Sequence, residues 1–260
     1  MILLVNDDGI NSTGIKAAYN AVKEIDDVTI VAPAVQQSGV GRSISLFSPI
    51  IASQMKIGSA PAYSVKGTPV DAIILGFYGI LKTKPDLVVS GINLGENMSS
   101  EATTSGTVGA ALEAASQGVT AIAISQSTSK AVKYESVPAE VDLSLAMEVL
   151  VNLAEYVLKE GLPSGVDLLN VNVPEECKSK EIRITRLARR MYTTRVHERH
   201  DPRGRSYFWI DGDAIYDVEE GTDVYAVRKE RCISITPLKL DFTSHEALAD
   251  LYGLRDLLRK

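Results

Sequence analysis

Short, continuously apolar runs alternate with stretches of helical periodicity through the first two-thirds of the chain, and few folds accept that alternation. Ile2–Asn6 reads as a strand. It is followed by Gly14–Ile25, where Ile15, Ala18, Val22 and Ile25 recur at helical spacing. Val28–Ala32 is a second buried strand, ended by Pro33. Thr68-Pro69 opens a helix running to about Leu81, with Thr suited to the N-cap and Pro to the first helical position. Then come a strand at Leu87–Ser90, an Ala-rich helix at Ser105–Gln117 terminated by Gly118, and a strand at Thr120–Ser125. A long helix at Ala139–Lys159, closed by Gly161, and a strand at Asp167–Val173, stopped by Pro174, complete the series. Strands apolar at successive positions are buried on both faces, and strand–helix–strand succession joins them in parallel. The expectation is an α/β fold, Rossmann-like and doubly wound around a mostly parallel sheet.

Beyond about residue 180 the pattern changes. Ile182–Leu187 and Cys232–Thr236 look like strands, and between them Tyr, Trp and Val alternate with charge around Gly204 and Gly212, as antiparallel hairpins do. Ser244–Lys260 reads as a terminal helix. The expected division is an α/β catalytic core over 1–180 and a C-terminal β-hairpin and terminal helix over 181–260, an oligomerisation appendage that returns one strand to the core. The apolar face of Leu248, Leu251, Tyr252, Leu254, Leu257 and Leu258 suits core packing, with a subunit contact as the alternative. Trp209 and the tyrosines near it read as packing residues rather than a base-stacking platform.

Composition narrows the function. For 28.0 kDa, surface scaling gives about 11,000 Å² folded against about 41,000 Å² unfolded, enough burial to need no metal or disulfide staple. The net charge of −6 disfavours specific DNA binding or an anionic membrane as the main partner. No stretch reaches the ~20 apolar residues of a membrane span. Cys177 and Cys232 are the only thiols and no export signal precedes Asn6, so a cytoplasmic protein with inert thiols is expected. One region departs from the average. Residues 183–205 hold eight arginines against Glu198 and Asp201, a basic arm suited to a solvated hairpin, to a partner subunit or to a polyanion. His197 and His200 within it lack neighbouring Cys, which argues against zinc.

Four segments carry chemistry. Asn6-Asp7-Asp8-Gly9 stands at the carboxyl end of the first strand, where open α/β sheets bind ligands. One Asp makes a turn; two adjacent ones repel, and a hard divalent cation relieves them. Ser90-Gly91-Ile92-Asn93-Leu94-Gly95-Glu96-Asn97 follows the third strand with two backbone-freeing glycines and neutral amide oxygens. Ser105-Gly106-Thr107 opens the Ala-rich helix and makes either an ordinary cap or an oxyanion cradle. Gln37-Ser38-Gly39-Val40-Gly41-Arg42-Ser43 is a small-residue loop without the third glycine of a dinucleotide fingerprint. Neither a G-x-S-x-G elbow nor a P-loop occurs.

Taken in order, Asn6–Gly9, Ser38-Gly39, Gly67-Thr68-Pro69-Val70-Asp71, Ser90–Asn97, Ser105–Val108, Leu169-Asn170-Val171-Asn172-Val173-Pro174 and Thr236-Pro237-Leu238 resemble the SurE survival-protein family, over residues 1 to about 243. The resemblance implies a metal-dependent 5′/3′-nucleotidase. Asp7, Asp8, Ser38 and Asn93 would hold one divalent ion, Mg²⁺ or Mn²⁺. Asn97 and Ser105, Gly106 and Thr107 would stand at the substrate phosphate, and together with Asp7 and Asp8 they form the implied catalytic set. It implies a nucleoside monophosphate as substrate, with short polyphosphate as a further candidate, and a homodimer or tetramer assembled through the C-terminal appendage. Between Asn97 and Ser105 the family usually shows Gly-x-Asp and then Tyr, where this chain has Ser99, Ser100-Glu101 and Thr104. Two alternatives accompany this reading: a phosphatase working through an aspartyl-phosphate intermediate, and a catalytically inactive nucleotide-binding protein.

Overall fold

The computed structural model describes residues 1–128, 141–177 and 180–259. Its main sheet has nine strands in the order β3-β4-β2-β1-β5-β6-β7-β11-β8. These are β1 (Ile2–Val5), β2 (Val28–Pro33), β3 (Ile51–Ile57), β4 (Ala60–Lys66), β5 (Leu87–Leu94), β6 (Ala121–Gln126), β7 (Leu168–Val173), β8 (Ile182–Ile184) and β11 (Ile233–Leu238). The central run from β4 to β7 is parallel, while β3 pairs antiparallel with β4 and β11 antiparallel with β7. The expected doubly wound α/β sheet is present. From β1 the chain moves to β2 on one side and later returns to β5 on the other, so the loops after β1 and β5 diverge at the sheet's switch point, where such folds open a crevice.

The strands dictate the layers by their alternation. Ile2 and Leu4 of β1 face helices α1 (Thr13–Val22) and α4 (Ser144–Glu160), while Leu3 and Val5 face α2 (Pro69–Leu75) and α3 (Gly106–Ser116). All four β1 side chains are fully buried, each contributing roughly 1.5–3 kcal/mol of transfer free energy. Thr68 and Asp71 cap α2 reciprocally, and buried Asp71 also accepts from the Ser45 N–H at 2.9 Å and hydroxyl at 2.7 Å, which fastens the long loop after β2. The expected helix to Leu81 is realised as α2 followed by a wider π-type turn at Gly76–Leu81. The expected start of the long helix at Ala139 lies outside the described residues, and α4 begins at Ser144.

One element was not foreseen and two expectations, on Trp209 and on the C-terminal helix, need correction. The β3–β4 hairpin went unmarked in the sequence, because β3 is almost wholly exposed and lacks the apolar run of a buried strand. A hairpin of β9 (Arg195–His200) and β10 (Ser206–Asp211) stands apart from the main sheet, with Phe208 and Trp209 more than 60% exposed, so Trp209 is not packed within this chain. The C-terminal stretch is a broken series of short 3₁₀ and α turns from His245 to Arg259. Leu248, Leu251, Tyr252, Leu254 and Leu257 are exposed, which overturns core packing within the chain. Periodicity reports an apolar face but not what covers it.

β5 continues past its expected end at Ser90 to Leu94, with a register shift between Ser90 and Asn93 and a cis Gly91–Ile92 peptide. Gly91 has φ +137°, and a Cβ there would meet the Ile124 carbonyl oxygen at 2.2 Å. From the other face α1 approaches so closely that a Cβ on Gly14 would lie 1.9 Å from the Ile92 carbonyl oxygen. Alanine is ordinarily the better helix former by up to about 1 kcal/mol. Here Gly14→Ala is expected instead to destabilise by about 2 kcal/mol through overpacking, seen as a lower urea midpoint with unchanged m; a midpoint equal to or above the parent's contradicts that packing.

Candidate active site

The loop after β1 is set by Asn6, whose fully buried amide donates to the Gly9 carbonyl at 3.1 Å and to Ser12 Oγ at 2.7 Å. Ser12 then caps α1 by accepting from the Ile15 N–H. That tight turn aims the next two side chains in different directions. Asp7 is buried and lies against the first turn of α3, where it accepts a short hydrogen bond from the Thr107 hydroxyl. A Cβ on Gly106 would come within 2.7 Å of Asp7 Cβ, so only glycine admits this approach. Asp8 is half-buried and reaches sideways: its Oδ2 accepts from the Leu94 N–H at 3.1 Å and its Oδ1 from the Gln36 amide at 3.3 Å.

Those contacts bring the predicted segments together. Gln36 also donates to Ser38 Oγ at 3.0 Å, and the Gln37 N–H donates to the Asp7 carbonyl at 2.7 Å, so the loop after β2 leans on the loop after β1. The same loop is keyed to α3. Gly41 donates to the Thr104 carbonyl, a Cβ on Gly109 would lie 2.5 Å from the Gly41 carbonyl oxygen, and Arg42 pairs with buried Glu113 at 2.8 Å. Asn93 lies within β5 rather than in a loop beyond it, and its amide donates to the Gly95 carbonyl at 2.7 Å, which leaves Oδ1 as its acceptor atom. Asn97 donates from its side chain to Ser125 Oγ at 2.9 Å. Ser105 acts as the N-cap of α3, accepting from the Val108 N–H.

The donor set is all oxygen: two carboxylates at Asp7 and Asp8, the Ser38 hydroxyl and the Asn93 amide oxygen. The Thr107 hydroxyl that donates to Asp7 is neutral, and among the described residues no group of three or more His, Cys, Asp or Glu is placed to hold a metal ion. Such a set fits a hard cation of the Mg²⁺ or Mn²⁺ type and not zinc or copper. Sequence analysis did not single out Gln36, and it did not foresee what Asn170 and Asn172 do. Both are fully buried in β7, and each donates to the Asn97 carbonyl. Two amides alternating in an otherwise apolar strand were the available signal. The 96–104 loop is further tied to the C-terminal part. Asp223 accepts from the Ser99 N–H at 2.7 Å, and Arg228, lying over the Tyr192 ring, pairs with Glu96 at 3.0 Å.

Burial is the largest influence on the Asp7 carboxyl and pushes it above its ordinary value, against the opposing pull of the Thr107 hydroxyl and nearby N–H groups. A raised folded-state pKa means that ionisation weakens the fold: no cost below the unfolded value of about 3.9, full cost above the folded one. In EDTA at neutral pH, Asp7→Asn is therefore expected to unfold at higher urea than the parent, with the gap closing towards about pH 3. A variant less stable than the parent at neutral pH contradicts this balance.

Residues 2–194 match the family model described as survival protein SurE. The 5′-nucleotidase SurE of Archaeoglobus fulgidus is 55% identical over 94% of this chain and 92% of its own length. That of Methanocaldococcus jannaschii is 52% identical over 93% and 92%. The crystal structure of the SurE protein from Aquifex aeolicus superposes with a TM-score of 0.81 at 36% identity, covering 98% of this chain and 99% of that one. With the acidic pair, the Asn93 strand end and the α3 N-terminus assembled at one sheet edge in a fold this close to theirs, the chain belongs to the SurE family.

Proposed function

We propose that the chain is a divalent-metal-dependent phosphomonoesterase that hydrolyses nucleoside monophosphates, at the 5′ or 3′ position, to nucleoside and inorganic phosphate. The observation that carries this reading is the convergence of Asp7, Asp8, the Ser38 loop, the Asn93 strand end and the α3 N-terminus at the switch point of the sheet. The names of the relatives supply the substrate class. Asp7, Asp8, Ser38 and Asn93 would hold the cation. When bound, Mg²⁺ or Mn²⁺ lowers the pKa of water and screens the charge of the phosphate.

The protein's own groups do the rest. One carboxylate of the Asp7–Asp8 pair orients the attacking water or accepts its proton. The Asn97 amide and the Ser105-Gly106-Thr107 turn donate to phosphoryl oxygens, where pre-aimed donors in a water-poor cleft stabilise developing charge. The Thr107 hydroxyl also donates to Asp7. Turnover therefore has Asp7 share or release this donor as phosphate enters. Short polyphosphate, whose terminal phosphoryl group is held by an anhydride rather than an ester bond, is proposed as a further substrate.

Assembly into a homodimer or tetramer is proposed through the 181–260 appendage, whose β9–β10 hairpin and C-terminal turns carry Val196, Phe208, Trp209, Ile210, Leu251 and Tyr252 exposed. That is apolar area which assembly would remove from water. Among the described residues no helix is long and apolar enough to cross a membrane. Cys177 and Cys232 are free thiols, so a reducing cytoplasm is the proposed setting.

Phosphate release from a panel of nucleoside 5′- and 3′-monophosphates is the test. Activity is expected with Mg²⁺ or Mn²⁺ and not in EDTA, and Asp8→Asn is expected to lose at least about 100-fold in kcat. A folded chain that binds nucleotide without turnover in either metal sinks the hydrolase reading. Hydroxylamine added during turnover is expected to trap no aspartyl hydroxamate; a hydroxamate at Asp7 or Asp8 would instead establish an aspartyl-phosphate route.

A further inference from the structure

Asn97 is gripped from behind by two strands. Asn172 Oδ1 accepts from its backbone N–H at 2.8 Å, and the Asn170 and Asn172 amides both donate to its carbonyl oxygen, at 2.8 and 3.1 Å. Ser125 Oγ takes one N–H of its side-chain amide at 2.9 Å. Ser125, Asn170 and Asn172 are all fully buried. Ser125 of β6 stands opposite Asn172 of β7, with Asn170 two residues back on the same face as core residue Leu168, beneath α3.

A sheet face under a helix is ordinarily filled with Val, Ile or Leu, as the other face of β7 is by Leu169, Val171 and Val173. Burying amides there is unfavourable unless they are partnered, and the cost is not fully removed here, since Asn170 Oδ1 has no partner among the described residues. Packing therefore does not account for the two asparagines. What they supply, and an aliphatic side chain cannot, is a set of directed hydrogen bonds to both backbone polar groups of one residue. With those groups fixed and one amide N–H pinned by Ser125, the direction of the remaining amide N–H of Asn97 is fixed too.

We propose that Asn170, Asn172 and Ser125 form a positioning frame that aims the Asn97 amide at the substrate phosphate before substrate arrives. None of the three touches the phosphate; each acts through Asn97. The proposal rests on the reading of Asn97 as a phosphate contact and assigns to β6 and β7 the task of holding it.

The experiment is a double-mutant cycle between the frame and Asn97, on the full chain with its metal. Ser125→Ala removes only the acceptor of the Asn97 amide and is small enough to fold; Asn172→Leu removes the acceptor of the Asn97 N–H and one of the two donors to its carbonyl. Each is expected to lower kcat about 10-fold or more with KM changed less than about 3-fold, the split expected of a contact that strengthens in the transition state. Combined with Asn97→Ala, neither is expected to lower kcat further than Asn97→Ala alone, because a frame with nothing to aim has nothing left to lose. A frame variant that loses thermal stability but keeps the parent kcat, or losses that multiply in the double variants, overturns the proposal. If the parent chain turns over no nucleotide, the hydrolase reading has failed on its own, and the cycle is read from orthophosphate affinity by calorimetry with Mn²⁺ present. Equal, non-additive losses there support the frame, while parent-like affinity in Ser125→Ala and Asn172→Leu, or no phosphate binding by the parent, overturns it.

Discussion

The contact between the buried carboxylate of Asp7 and the first turn of α3 sets the geometry of the whole sheet edge. A carboxylate removed from water needs donors, and a helix N-terminus offers N–H groups that have no partner within the helix. Thr107 adds a hydroxyl, and Gly106 lacks the side chain that would keep the two apart. Because α3 packs on the sheet through an almost unbroken run of buried small residues, Gly106 to Ala114, it comes close enough for the contact to form. The same closeness recurs one turn later, where Gly109 receives the backbone of Gly41 and so brings the Ser38 loop to the same edge. One helix of small residues thus assembles two of the loops that carry the candidate site.

The third loop is held from the opposite direction. The stretch from Glu96 to Thr104 is anchored to segments more than 70 residues distant: to Asn170 and Asn172 in the sheet, to Asp223, and to Arg228, whose guanidinium lies over Tyr192 and near Tyr216 while pairing with Glu96. Ser100 and Glu101 join in, the first donating to the Arg189 carbonyl and the second accepting from the Met191 and Tyr192 N–H groups. These two positions dock the loop on the Arg-rich segment. The C-terminal part is therefore structurally continuous with the loop that carries Asn97.

How much of this was legible follows from the range of each interaction. The parallel strands could be read because burial on both faces leaves a local mark, an unbroken apolar run such as Ile2–Val5. Asp7 and Asp8 could be read because two adjacent acids at a strand end conflict with ordinary turn chemistry. The exposed strand β3 left no such mark, and Gln36 and Ser125 looked like any polar residues until the fold set them beside Asp8 and Asn97. The C-terminal apolar face was legible as a face, but its exposure was not, since amphipathicity records a demand for burial without naming what meets it.

By itself the sequence determined the alternation of strand and helix, the acidic pair at the first strand's end, the helix start at Ser105 and the order of motifs that marks the family; all of these depend on residues within a few positions of one another. Tertiary structure alone decided that Asp7 would face α3 while Asp8 faces β5, that Asn93 would lie inside an irregular strand, and that two asparagines of β7 would close on Asn97. The reason is physical: side-chain hydrogen bonds reach about 3 Å, and which groups come within that reach across separations of 70 to 130 residues is set by how strands and helices stack, not by any local pattern.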